Sequence, residues 1–142
     1  MKSYRVRRPK KYDDLLNLLK DKDEGVFSTL KSALVFSAAV GFKIKRRVEF
    51  KESGEPIALN LFNENYDQPF IYAMALTEYN DVSYLQEDKF LDVFKVFEEY
   101  ACGGLEYLEV QLDKSHIKES IESLLSDKSG SNSIEDISAL WN

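Results

Sequence analysis

The sequence predicts a mainly α protein: a single compact helical domain with a short β-hairpin or extended pair after the second helix. Three observations carry that expectation. Apolar residues recur at helical spacing in most segments, and strict alternation is confined to residues 42–61. A chain of 142 residues is long enough to bury a core without disulfides or metal. The expected organisation is a basic flexible arm (1–9), a helical domain (10–126), and a linker with a C-terminal tail (127–142).

The arm is assigned on charge, since six of the first eleven residues are Lys or Arg, none is acidic, and Pro9 punctuates its end. A helix follows at "KKYDDLLNLLKDK". Asp13 and Asp14 suit the dipole of its first turn, and Tyr12, Leu15, Leu16 and Leu19 make an apolar stripe. Gly25 breaks the pattern. The second helix is expected over Ser28–Val40, capped by Ser28 and ended by a left-handed Gly41. Its half "ALVFSAAV" is apolar on nearly every face, as in a central helix, and Ser37, Ala38 and Ala39 would let a neighbour come close.

After Gly41 the period changes. Phe42, Ile44, Val48 and Phe50 fall on one face of an extended segment, Lys43, Lys45, Arg47 and Lys51 on the other. "ESGEP" turns, and Ile57, Leu59 and Leu61 alternate again. Helix resumes at Pro69 and runs to about Asn80. The next places Phe90, Phe94, Phe97 and Ala101 opposite Asp92, Lys95, Glu98 and Glu99, with Gly103 and Gly104 as a stop or kink. "LEYLEVQL" reads as helix or strand, and "HIKESIESLL" as a last amphipathic helix. The tail ends in "SIEDISALWN".

Charge is polarised. Residues 1–47 carry 13 Lys/Arg against 5 Asp/Glu (+8), and residues 48–142 carry 6 against 20 (−14), which gives the net −6. One reading is a surface for a polyanion beside an acidic surface that keeps the protein soluble. The other is that the two halves neutralise each other within the fold. The one cysteine, Cys102, cannot pair within the chain, so nothing points to an oxidising compartment. No apolar run is long enough to cross a bilayer, and the basic start lacks the apolar stretch of a secretory signal. A cytoplasmic protein without membrane contact is expected.

Catalytic material is sparse. His116 is the only histidine and reads as a solvated surface residue. Cys102 reads as a buried structural thiol, and one His with one Cys cannot supply an ordinary zinc site. The carboxylates, Glu98, Glu99, Glu106 and Glu109 included, are spaced as on solvent faces. "GG" at 103–104 lacks the strand–loop–helix context of a phosphate loop. No catalytic residue, metal or cofactor is therefore expected. The positive signal is two basic clusters: Arg5, Arg7, Arg8, Lys10 and Lys11 in the arm, and Lys43, Lys45, Arg46 and Arg47 after the second helix. Together they could neutralise several backbone phosphates of duplex DNA. The apolar helix between them offers no polar side chain to base edges except Ser37, so any such contact would position rather than specify.

Three segments, "RVRRPKKYDDLL", "ALVFSAAVGFK" and "FEEYACGGLEYL", together resemble the DNA phosphorothioation-associated protein 4 family, over roughly residues 4–112. The resemblance implies a bacterial accessory encoded beside dnd-type sulfur-modification and restriction genes, in a system that attacks unmodified invading DNA such as a phage's. It implies other modification or restriction proteins as partners, and no established catalytic residues. Two readings stay open: an accessory that grips DNA backbone through the basic clusters, and a protein–protein adaptor without DNA affinity of its own. The adaptor would dock through its acidic helices, with exposed aromatics such as Tyr100 and Tyr107, or through the tail with Trp141. The short, strongly amphipathic first helix is compatible with a homodimer.

Overall fold

The computed structural model describes residues 4–126, in the order β1 (Arg5–Val6), α1 (Asp13–Leu19), α2 (Leu30–Lys43), β2 (Ile57–Ala58), α3 (Asp67–Tyr79), α4 (Phe90–Gln111) and α5 (Ile117–Ser126). Short 3₁₀ turns stand at Lys10–Tyr12, Leu59–Leu61, Val82–Leu85 and Glu87–Lys89. The mainly α expectation holds. The expected tail, with Trp141, lies outside the described residues.

The centre is α2 packed along α4. Every residue of α2 from Ala33 to Gly41 is buried, as its apolar run predicts. Its N-cap is Thr29, one residue later than expected, whose Oγ1 accepts from the Ser32 amide at 3.1 Å. Gly41 does not end the helix. The helix runs on to Lys43 and closes in a Schellman turn: the Arg46 amide donates to Gly41 O at 2.8 Å and the Lys45 amide to Phe42 O at 3.2 Å. The left-handed residue of that turn is Lys45, with φ 59°.

The glycines serve proximity instead. A Cβ on Gly41 would run into the Tyr100 carbonyl, and one on Gly104 into the Ser37 carbonyl. The two backbones therefore touch where both helices lack side chains. Gly103 and Gly104 lie inside α4, which continues unbroken through "LEYLEVQ" to Gln111. A stop or kink was the wrong expectation there, because a buried glycine in a long helix also answers a neighbour's backbone.

The extended pair exists, but its second strand comes from the arm. Arg5 pairs with Ala58 and Val6 with Ile57, antiparallel. Beyond the sheet, Leu59 N donates to Tyr4 O, Gly54 N to Arg8 O and Lys10 N to Glu52 O, at 2.9–3.0 Å. The segment expected to be a flexible arm thus pairs along residues 52–59. Val6 is fully buried, and the Tyr4 ring packs edge-on against Phe90 and Phe94. The alternation at 42–50 is no strand. Phe42 closes a helix, while Ile44, Val48 and Phe50 pack half-buried on the core from an irregular crossing segment. Helix α3 starts two residues before Pro69 and ends at left-handed Asn80 (φ 52°). No described helix is long and apolar enough to cross a membrane.

Candidate nucleic-acid interface

The two basic clusters come together on α4. The segment after α2 crosses it: the Arg46 carbonyl rests over Gly103, and Val48 N donates to Glu99 O at 3.0 Å. The 3₁₀ turn Lys10–Tyr12 packs on α4 as well, with buried Tyr12 in the field of Cys102, Glu106 and Glu109. Nine cations were expected there, and the fold treats them unequally.

Arg47 is the most engaged. Its Nε donates to Glu99 Oε1 at 2.6 Å and its Nη1 to Glu78 Oε1 at 2.8 Å. Burial alone would lower its pKa, but the hydrogen bonds to Glu99 and Glu78 outweigh that and raise it. Arg7 works through backbone and side chain. Its amide donates to Glu98 Oε2 at 2.7 Å, its Nη2 donates to Lys51 O at 2.9 Å, and the guanidinium lies 4.7 Å from the Phe50 ring centre. Arg8 pairs with Asp13 and donates from Nε to Glu55 O at 2.7 Å. These three arginines are internal counterions and clamps.

The others face outward. Arg5 reaches Glu55 at 3.6 Å, both side chains exposed. Arg46 reaches Glu106 at 3.6 Å and sits 5.7 Å from the Tyr107 ring centre. Lys10, Lys11, Lys43 and Lys45 are exposed, Lys11 lying 5.6 Å from the ring centre of Tyr12.

Several acceptors were misread as solvent face. Glu98 and Glu99 are each only 6 % exposed. Glu98 is one helical turn beyond Phe94, so it belongs to the apolar stripe, and that spacing is the signal that could have exposed it. Burial pushes its carboxyl up to about 7; the Arg7 amide and charge pull it down, and neighbouring Glu99 pushes it up again. Tyr100, expected at the surface, is buried and donates its hydroxyl to Glu78 at 2.8 Å. Tyr107 is half-buried. Cys102 is buried as expected, and burial together with Glu106 lifts its thiol to about 11, far from a reactive thiolate. His116 is exposed beside Asp113. Among the described residues no group of three or more His, Cys, Asp or Glu side chains is placed to hold a metal ion.

The three sequence segments that carried the resemblance meet at this stretch of α4. A family model, DNA sulphur modification system-associated protein 4, matches residues 5–140. The chain belongs to that family. The match reaches well past residue 112, so the C-terminal segment that the resemblance left aside is part of the family pattern. Membership associates the protein with a DNA sulphur modification system and makes the other proteins of that system its expected partners. No curated protein and no solved structure matches the chain.

Proposed function

We propose that the protein is a non-enzymatic accessory of its DNA sulphur modification system that touches duplex backbone through outward-facing members of its basic set: Lys10, Lys11, Lys43, Lys45 and Arg46. The observation that carries this reading is Lys45. It occupies the left-handed position of the Schellman turn, where glycine is the unstrained choice, and its side chain is exposed. A strained residue with no packing role is a candidate for a functional one. The turn mounts Lys45 at the end of α2, beside Arg46, whose carbonyl rests over Gly103 of α4.

Arg7, Arg8 and Arg47 contribute indirectly, by neutralising carboxylates of α4, α3 and α1 that would otherwise repel phosphate. With roughly four phosphates neutralised, log K should fall with log salt at a slope of about −3.6, close to a hundredfold loss between 50 and 200 mM. Affinity should therefore be modest and nearly independent of sequence.

The test is fluorescence anisotropy of a labelled duplex, plain or phosphorothioated, titrated across salt. Reversal of Lys10, Lys11, Lys45 and Arg46 to Glu, in a protein with unchanged circular dichroism, should abolish binding at 50 mM salt. Unchanged affinity in that variant overturns the reading. If the native protein does not bind even at low salt, the adaptor role without DNA affinity stands in its place.

A further inference from the structure

We propose that the end of the molecule built by residues 81–92 is a docking surface for a basic, amphipathic segment of another protein. This goes beyond the lysine face and does not depend on it. Among the described residues, three of the seven large hydrophobic side chains left exposed fall within this short stretch: Val82 at 77 %, Leu85 at 50 % and Leu91 at 73 %. Scattered single exposures need no explanation, but concentration in ten residues does. Val82 and Leu85 stand three apart in a 3₁₀ turn, a spacing that stacks them on one edge. That turn packs against the next one, Glu87–Lys89, and against α4, which carries Leu91 in its first turn.

The surface is preformed. The Tyr79 and Tyr84 rings stack at 4.0 Å and 6°, Lys89 lies 5.4 Å from the Tyr84 ring centre, and the Ser83 amide donates to Asp81 at 2.9 Å. Tyr4 donates its hydroxyl to Glu87 at 3.2 Å, which ties the end to the N-terminal strand. A partner would therefore spend little ordering the site.

Charge selects the occupant. The stretch carries Asp81, Glu87, Asp88 and Asp92, all exposed, against Lys89 alone. An apolar surface in an acidic rim fits a segment with leucine-like side chains on one face and lysine or arginine beside them. A second copy of this chain would bring the same acidic rim against itself, and an anionic lipid surface would be repelled.

The probe is an 18-residue helical peptide of leucine and lysine in amphipathic register, with a leucine–glutamate counterpart as control. Titration into the ¹⁵N-labelled full chain should shift amide resonances of 81–92, and the control should shift none. The triple variant Val82→Ser, Leu85→Ser, Leu91→Ser changes only exposed side chains, adds no charge, and should weaken binding at least tenfold. The pair Asp88→Asn and Asp92→Asn should weaken it by several-fold while leaving the apolar contacts intact.

Shifts elsewhere, equal binding of both peptides, or full affinity in the triple variant would each overturn the proposal. So would a native dimer in sedimentation that the triple variant dissociates, since a second copy would then own the surface. Trp141 is the chain's only tryptophan. A red shift of its emission in the triple variant would instead assign the surface to the chain's own C-terminal segment.

Discussion

Three of the arginines and the lysines of the same two short segments meet opposite fates. Arg7, Arg8 and Arg47 are drawn onto carboxylates and carbonyls, while Lys10, Lys11 and Lys45 stay at the surface. The difference follows from their chemistry. A guanidinium is planar, weakly hydrated and equipped with five donors, so it can bridge two acceptors in a half-buried place, as Arg47 bridges Glu99 and Glu78. An ammonium is strongly hydrated and loses more on burial. Substitutions in the first group should therefore cost stability, and substitutions in the second should cost interactions with other molecules.

The largest effect is expected from removing the clamp's footing. Gly103→Ala places a Cβ against the Arg46 carbonyl, so the crossing segment must lift away from α4 and take Arg47 off Glu99. Overpacking and a broken ion pair together should cost about 3 kcal/mol or more, read as a lower urea midpoint. A variant as stable as the native protein would mean that the segment is loosely held.

Arg47→Ala comes next. It strands Glu99, 6 % exposed, without its counterion. Breaking a fully buried pair costs about 3–5 kcal/mol, and the part-exposed guanidinium brings the expectation down to about 2 kcal/mol. Arg47→Lys should recover only a fraction, because one ammonium cannot reproduce the fork. Equal stability of Ala and Lys variants would contradict the bridging role.

Glu98 sharpens the comparison by pH. Its folded carboxyl titrates at about 7 against an ordinary 4.5. A raised carboxyl pKa means that the fold favours the neutral form. The stabilising contribution is complete below pH 4.5 and is lost as pH rises through 7. Native stability should then fall by about 2 kcal/mol more than that of Glu98→Gln between pH 4.5 and 8, since Gln can still accept the Arg7 amide without charging. Urea unfolding of both proteins at the two pH values checks this, and parallel pH profiles would show that Glu98 is not the titrating group.

Much of this arrangement was legible in the residues. The apolar run 33–40 had to be a central helix, and the small residues Ser37, Ala38 and Ala39 announced a close neighbour. What they could not reveal is that the neighbour's small residues, Gly103 and Gly104, answer them; a glycine pair reads equally as a break until its partner is known. Strand β1 pairs only two residues, too few for an alternation signal, and Val6 alone among arginines was its trace. The buried carboxylates were hidden by a general habit, that acids face water, which a long-range partner such as Arg7 or Arg47 can override. The choice between internal neutralisation and an open basic surface has both answers here, with Arg7, Arg8 and Arg47 on the first side and Arg5, Arg46 and the exposed lysines on the second.

Lys45 tests that division at one position and with opposite signs. A non-glycine residue at φ 59° carries a backbone cost that glycine does not. Lys45→Gly should therefore raise stability, by roughly 0.5–1 kcal/mol, while keeping the Schellman hydrogen bonds of Arg46 and Lys45 to the end of α2. If the lysine is retained for its charge, the same substitution lowers affinity for the duplex and makes the salt slope shallower by about one. Lys45→Gln separates the two effects, removing the charge while keeping a side chain in the strained position. A stabilised Gly variant with weakened binding, and a Gln variant with weakened binding alone, would show that strain is tolerated there for the sake of an external contact. Gain of stability with no change in binding would leave the strain without a function and move the lysine face out of the mechanism.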